Sequence, residues 1–308
     1  MNDIRKLIKR TTLATLFILL PWQTSYALES LFDISIGPRT DDLNWRATGP
    51  VSPALSGRSD LFFSNIESIQ LGVNYEGTAE SGFTYRASLS VGDIQDGKVR
   101  DSDYAGSTEF SRSIADTDGD DVFDASLAFG RRIPVTDTRR TFVTPLIGVS
   151  YHEEDFRITN GRQVIDLVSG TAGNPIPGLD SRYRAEWWSR FLGVEFSHRN
   201  GNWNTFGKAE FHDLDYEGTG NWNLRPDLAN PVSFTHDADG SGPLYQLGTR
   251  YMYNNNWAFN AIVTWTDFKS NNGRDRVFLS DGTVVDANLD EAHWDQLSVM
   301  FGMSYLSN

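Results

Sequence analysis

The chain of 308 residues contains no cysteine. A disulfide framework and a thiolate metal site are therefore excluded. Basic residues are also scarce, because 27 Lys and Arg stand against 41 Asp and Glu, which gives a formal net charge of −14 at pH 7. We expect no nucleic-acid partner for so acidic a chain, since binding to phosphates needs clustered positive charge.

Long apolar runs are missing too, apart from one near the N-terminus. Basic residues within the first ten positions precede an apolar stretch over 13–22, and small residues follow up to Ala27. This order is typical of a secretory signal peptide, and the stretch is too short to span a bilayer as a helix. We predict cleavage after Ala27, which gives a signal peptide over 1–27 and one mature domain over 28–308.

Alternation of apolar and polar residues dominates the rest of the chain. A period of two indicates a β-strand with one apolar face. Such a pattern, repeated with polar residues on the other face, is typical of the wall of a transmembrane β-barrel. The alternating segments are 32–36, 69–75, 83–91, 123–129, 143–151, 192–196, 209–211, 245–253, 257–265 and 297–305.

The connections between these segments are of two kinds. The short ones lie at 76–82, 133–140, 199–202 and 254–256, and the long polar ones at 38–59, 92–121, 153–181, 213–242 and 269–293. This asymmetry is typical of bacterial outer-membrane barrels, in which short turns are periplasmic and long loops extracellular. The sequence therefore predicts an all-β fold, a ten-stranded antiparallel transmembrane β-barrel with both chain ends on the periplasmic side.

Aromatic residues crowd the predicted strand ends and suggest two interfacial girdles. One girdle comprises Tyr75, Trp203, Tyr253, Trp257 and Tyr305, and the other Tyr151, Trp187, Trp188 and Trp265. The polar face carries charges of both signs, which predicts a lumen with paired charges: Arg86, Asp124, Lys208, Glu210 and Arg250. Ten strands leave little bore, so a wide pore is disfavoured, whereas a narrow or loop-plugged channel stays open.

Candidate chemistry lies in the second and fourth long segments. Asp101 and Asp103 stand one residue apart in Asp-Ser-Asp-Tyr, where two like charges could hold and deprotonate a water molecule. The alternative is a turn whose carboxylates bind their own backbone. His212 and His236 each have a nearby Asp and could act as a general base, or each could be a hydrogen-bonded lumen or rim histidine.

The acidic residues allow two further interpretations. Asp116, Asp118 and Asp120 alternate as calcium ligands do, although the glycine and the final bidentate carboxylate of an EF-hand are not in place. A solvated acidic loop is the simpler interpretation, and we expect no cofactor otherwise. More generally, the acidity either solvates the loops or forms a groove for cationic peptides or for divalent ions that bridge lipopolysaccharide.

Ten strands, five large outer loops and Asp101-Ser-Asp103-Tyr104 resemble the omptins, the outer-membrane aspartate/histidine proteases. In that family a second-loop Asp-x-Asp faces a fourth-loop Asp-x-His, and a water between them attacks the peptide bond. Asp101 and Asp103 match the first motif. The segment 219–225 reads Thr-Gly-Asn-Trp-Asn-Leu-Arg and lacks the second, so His212 or His236 would have to substitute.

The chain also resembles the Protochlamydia outer membrane protein family, on motifs that span nearly the whole mature barrel. These include Ser59-Asp-Leu-Phe-Phe, Asp101-Ser-Asp103-Tyr104, Glu109-Phe-Ser-Arg112, Trp222-Asn-Leu-Arg225, Pro231-Val-Ser-Phe234 and Gly240-Ser-Gly242. This resemblance implies a surface barrel with a possible pore role.

Together these features predict a non-catalytic barrel with a surface or narrow-channel role. The alternatives are a diverged omptin-type endopeptidase that cleaves basic peptides and a scaffold for adhesion or lipopolysaccharide. Trp222, Arg225 and Phe234 are expected to close over the lumen or to bind a partner. We expect a monomer in the outer membrane that contacts lipid and lipopolysaccharide and is inserted by the outer-membrane insertion machinery.

Overall fold

The structure, a computed structural model, describes residues 29–52, 55–117 and 119–307. The predicted signal peptide over 1–27 lies outside the described residues. None of the described segments forms a helix that is long and apolar enough to cross a membrane.

The described chain folds into strands joined by turns and short loops. The strands are β1 (Glu29–Ser52), β2 (Leu55–Thr78), β3 (Phe83–Ala105), β4 (Thr108–Thr117), β5 (Asp121–Arg131), β6 (Ile133–Pro134), β7 (Thr141–Asp166), β8 (Ser181–Asn200), β9 (Trp203–Asn221), β10 (Phe234–Met252), β11 (Trp257–Phe278) and β12 (Val284–Ser307).

These strands close into a ring of ten, as the sequence predicts. Neighbours are antiparallel, and β12 pairs with β1 to close the sheet. Two strands occupy one position of the ring, between β3 and β7. β5 pairs with the lower parts of these two strands, and β4 pairs with their upper parts. Closure gives each of the ten ring positions a partner on both sides, while the two-residue β6 pairs with β7 alone.

The extracellular segments contain more strand than the sequence suggests. The first long segment, 38–59, forms the upper parts of β1 and β2, and the fifth forms those of β11 and β12. Polar residues in these segments face outward and alternate with inward residues, so the sheet continues well above the predicted membrane strands. Longer loops remain at 167–180 and 222–233.

An apolar belt surrounds the lower part of the barrel. Its side chains point outward and are strongly exposed, for example Ile147 at 60% and Leu192 at 67%. Exposed aromatics stand beside the short turns at Trp203, Tyr253, Trp257 and Tyr305. A continuous outward apolar band with an aromatic rim is the surface that a barrel presents to lipid.

The inward side of the strand extensions is also apolar. We call this group the aromatic core; it comprises Leu43, Trp45, Leu61, Phe63, Phe156, Tyr183, Trp187, Tyr216, Phe234, His236, Phe268 and Trp294. Phe63 stacks on Phe156 with ring centroids 4.2 Å apart, and Trp187 packs on Tyr216 at 4.4 Å. The core fills the bore at this level.

Trp187 was expected in the outer girdle, and this prediction is wrong. Its side chain is 0% exposed and lies in the aromatic core. Successive residues of a strand face opposite sides of the sheet, so Trp187 and Trp188 cannot both face outward. The sequence pattern did not indicate which of the two faces the lumen.

A buried ion cluster lies next to the aromatic core. Arg39 is 2% exposed, and its Nε donates to Asp41 Oδ2 at 2.7 Å. Its Nη1 donates to Asp124 Oδ2 at 2.8 Å, and its Nη2 lies 3.3 Å from Glu154 Oε1. Trp294 Nε1 donates to Asp41 Oδ1 at 2.9 Å and joins the cluster to the core. Buried charge is tolerated here because each ion has a partner.

The remaining charges that the sequence assigns to the lumen also have partners. Arg86 donates to both Glu195 oxygens at 2.7 and 2.8 Å. Lys208 lies 2.9 Å from Glu210, and Arg250 lies 3.1 Å from Asp33. These pairs distribute charge of both signs along the lower lumen.

Removal of a large core side chain tests the aromatic core. We expect Trp187→Ala to lower the free energy of unfolding by about 3–5 kcal/mol, because it opens a cavity that the closed sheet cannot collapse into. Urea unfolding of the refolded barrel, followed by gel mobility, measures the change. Val168→Ala is the control, since that side chain is 74% exposed; equal losses in both variants would contradict the assignment.

Candidate functional site

The acidic mouth of the barrel, defined by Asp101, Asp103 and Arg225, lies far above the apolar belt. On β3 the belt ends near Val91, which is 46% exposed. Asp101 comes ten residues later, which is about 30 Å along a strand. Asp101 pairs with Leu61 on β2, and Asp103 with Ser59. The two carboxyl groups are therefore held by regular sheet at the extracellular end.

The environment of the pair changes its protonation. Burial and the neighbouring Asp103 raise the pKa of Asp101 to about 8, and Arg225 opposes this. Burial also raises the pKa of Asp103, against a hydrogen bond with Ser59 and the charge of Arg225. Asp101 consequently keeps its proton at neutral pH, because two close carboxylates cannot both ionise cheaply.

Arg225 supplies positive charge that acts on this pair. It lies in a turn of the fourth loop, where its backbone N–H donates to Trp222 O at 3.2 Å. Its side chain binds Asp227 through two hydrogen bonds of 2.9 and 2.7 Å. The hydrogen bond with Asp227 raises the pKa of Arg225, and the charges of Asp103 and Asp101 add to the effect.

Asp60 lies on the outer face of β2, because it alternates with the inward Leu61, and its charge adds to the effects that raise the pKa values of Asp101 and Asp103. Its two oxygens lie 3.0 Å from Arg46 Nε and 3.2 Å from Arg58 Nε. The Arg58 guanidinium in turn lies 4.0 Å from the centroid of the Tyr104 ring, the aromatic residue of the Asp-Ser-Asp-Tyr motif. Sequence reasoning missed Asp60 because its segment was interpreted as a loop, although it alternates with Leu61.

His212, a candidate base, lies inside the lumen and is 0% exposed. Its Nδ1 is 2.8 Å from Ser189 Oγ, and its Nε2 is 3.4 Å from Glu210 Oε2. The ring also packs against Phe191 and Phe268. These contacts tie His212 to the lower lumen and not to Asp101 or Asp103.

His236 was expected within the fourth loop, and this placement is wrong, because it lies on β10. The side chain is 2% exposed; its Nδ1 is 2.9 Å from Tyr183 Oη and its Nε2 is 3.5 Å from Asp275 Oδ1. Its ring lies edge-on to Trp45 at 4.7 Å. The neighbouring Asp237 cannot orient it, since alternation turns Asp237 outward.

The three residues singled out in the fourth loop have different surroundings. Phe234 is 7% exposed and belongs to the aromatic core. Trp222 packs edge-on against Phe234 at 4.9 Å. Together they cap the core from above, while the Arg225 side chain binds Asp227.

The alternating carboxylates proposed for calcium have separate partners. Asp116 accepts from Lys98 at 2.7 Å, and Asp120 lies 3.9 Å from Arg182. Asp118 lies outside the described residues. A different group could hold a metal ion, because oxygens of Asp121, Glu153 and Asp155 lie within 4.8 Å of one another. Arg184 binds Asp155 and lies 3.8 Å from Glu153, so a guanidinium already balances that charge.

A closed antiparallel ring with an outward apolar belt and a polar lower lumen defines an outer-membrane β-barrel protein. The family model for the Protochlamydia outer membrane protein matches residues 33–306. The chain therefore belongs to this family. Its location is the bacterial outer membrane.

One solved structure shows the same fold, and a second aligns more loosely. The outer membrane protease OmpT of Escherichia coli superimposes with a TM-score of 0.73 at 11% identity, over 91% of this chain and 97% of that one. OprG of Pseudomonas aeruginosa matches at 9% identity and a TM-score of 0.36, over 92% of this chain and 97% of that one. No curated protein sequence matches this chain. The likeness to OmpT thus confirms the omptin-like architecture that the sequence suggests.

The raised pKa of Asp101 predicts a specific pH dependence. A carboxyl whose folded-state pKa is about 8, against an ordinary value of 3.8, favours the protonated folded state. Its contribution to stability is therefore lost as pH rises from about 4 to about 8. We expect Asp101→Asn, which mimics the protonated form, to be more stable than the parent at alkaline pH and similar to it at acidic pH.

Urea unfolding at several pH values measures this difference. Asp239→Asn is the matched control, because that carboxylate is exposed on β10. A stability difference between Asp101→Asn and the parent that does not change with pH would contradict the assigned protonation.

Proposed function

We propose that this protein is a closed outer-membrane barrel that binds cationic peptides at its acidic mouth, without conducting ions and without cleaving peptides there. The observation that carries the proposal is the aromatic core, which fills the bore between the acidic mouth and the lower lumen. We also propose that the protein is a monomer. The outer-membrane insertion machinery inserts it, and its surface contacts lipid and lipopolysaccharide.

The packing of the core argues against conduction. Trp187 and Trp294 are 0% and 1% exposed, so both indoles are enclosed by neighbouring side chains. A steady ion current needs a continuous wet path, and a close-packed apolar segment interrupts it. The Arg39 cluster lies next to this segment and is held by three carboxylates.

The identity of the group facing the acidic pair argues against hydrolysis at the mouth. A water held by Asp101 and Asp103 needs a second group that accepts or relays a proton. The cation whose charge acts on the pair is Arg225, and a guanidinium stays protonated and has no acceptor. His212 is hydrogen-bonded to Ser189 in the lumen, and His236 is hydrogen-bonded to Tyr183 in the aromatic core.

The same arrangement favours binding of a cation. A positive ligand favours the ionised forms of Asp101 and Asp103, and the net charge of −14 adds a long-range field that attracts such a ligand. Arg225 is an internal cation whose charge acts on Asp101 and Asp103 while its side chain is held by Asp227. An incoming cationic peptide would compete with this charge for the two carboxyl groups.

Conductance and hydrolysis test the first two parts of the proposal. We expect no steady current from the refolded barrel in a planar bilayer, and a large steady current would overturn the closed state.

We also expect no turnover of a quenched fluorescent peptide with an Arg-Arg bond in lipopolysaccharide. Turnover that disappears in Asp101→Ala would instead support the omptin-type endopeptidase.

Binding tests the third part. We expect Arg225→Ala to bind a fluorescent arginine-rich peptide about five- to tenfold more tightly, because it removes the internal competitor. Asp103→Asn should weaken binding, and added salt should weaken it in all variants. Arg276→Ala is the control, since Arg276 pairs with Asp286 at 3.1 Å; unchanged affinity in Arg225→Ala would contradict the competitor role.

A further inference from the structure

A continuous row of hydrogen bonds crosses four neighbouring barrel positions below the aromatic core. Asp124 Oδ1 on β5 lies 2.8 Å from His152 Nδ1 on β7, and His152 Nε2 lies 2.9 Å from Ser150 Oγ. Ser150 Oγ is 2.7 Å from Ser189 Oγ on β8, which is 2.8 Å from His212 Nδ1 on β9. Carboxylate, imidazole and hydroxyl thus follow one another at hydrogen-bond distance.

The protons in this row have a consistent direction. Ionised Asp124 only accepts, so His152 Nδ1 donates to it and Nε2 is the unprotonated nitrogen. The Ser150 hydroxyl then donates to His152 Nε2. The hydroxyl of Ser189 donates to Ser150 Oγ, and His212 Nδ1 donates to Ser189. Every proton in the row points toward Asp124.

The carboxylate at the end of the row is held in place. Asp124 Oδ2 accepts hydrogen bonds from Arg39 at 2.8 Å, Gln70 at 2.7 Å and Ser90 at 2.9 Å. These donors leave Oδ1 for His152. A carboxylate with one oxygen saturated and the other on an imidazole orients that ring and stabilises its protonated form.

A chamber gives Ser150 room for a small ligand. It has a volume of about 140 Å³, and its lining includes Asp124, His152, Ser150, Lys208 and Gln246. Asp124 and Lys208 side chains are 21% and 18% exposed, so water reaches the chamber. The aromatic core closes it above, and a ligand would enter from the periplasmic end.

We propose that Ser150 is the nucleophile of an acyl-transfer site that takes small carboxylic esters, with His152 as general base and Asp124 as the orienting carboxylate. Ser150 Oγ attacks the ester carbonyl carbon, and its proton passes to His152 Nε2. The bond to the alcohol oxygen breaks, and His152 returns the proton to that oxygen. Water then hydrolyses the acyl-serine by the same proton path and restores Ser150.

The lumen contains a matched serine without these partners. Ser126 lines the same chamber, and its Oγ is 2.6 Å from Ser88 Oγ, with no imidazole between them. A polar lumen serine with no base is therefore available for comparison. The proposal does not depend on the acidic mouth, because the aromatic core separates the two sites.

Covalent labelling tests the proposal. The full mature barrel, refolded in detergent, is treated with methanesulfonyl fluoride, a probe small enough for the chamber, and analysed by intact mass and peptide mapping. We expect one adduct, at Ser150. Ser150→Ala should give no adduct, and His152→Gln should slow labelling by about a hundredfold or more.

The controls distinguish activation of Ser150 by its neighbours from a general reactivity of serines in the lumen. Ser126→Ala should label as the parent does, and Asp124→Asn should slow labelling as His152→Gln does. Gel mobility checks that each variant has folded, and Ser150→Ala changes only one small side chain. No adduct at Ser150, an adduct whose rate is unchanged in His152→Gln, or equal labelling of Ser126 would overturn the proposal.

Discussion

Closure of the hydrogen-bonded ring is the constraint on which the rest of the structure depends. A strand in lipid has no water to satisfy its backbone, so each strand must pair on both sides, and β12 must return to β1. Pairing without an edge fixes two faces for every residue. The outward face becomes the apolar belt. The residues of both proposed sites lie on the inward face.

The inward face changes character along the barrel because the strands extend far beyond the belt. Within the belt it is polar, with ion pairs such as Arg86 with Glu195. Above the belt it becomes apolar, and Phe63, Trp187 and Trp294 pack there as they would in a soluble protein. This apolar segment divides the interior into an extracellular mouth and a lower lumen, which makes two independent sites possible.

Charge is arranged differently in the two compartments. At the acidic mouth the carboxyl groups crowd together, so that Asp101 holds its proton and Arg225 balances the remainder. In the lumen carboxylates are hydrogen-bonded to donors, as Asp124 is to Arg39, Gln70 and His152. Crowded carboxyl groups favour an incoming cation, whereas a saturated carboxylate orients a neighbouring imidazole. Both arrangements follow from which residues the sheet register brings side by side.

The sequence by itself determined the ring of ten strands, the short turns and the lumen positions of charges such as Arg250, because alternation is a local property of a strand. It did not determine which face Trp187 occupies or that His236 is buried on β10, since both depend on where strand ends and loop begins. The facing of Asp101 and Arg225 and the contact of Asp124 with His152 and Ser150 needed the tertiary structure. They join distant segments through sheet register and loop packing, which no local pattern records.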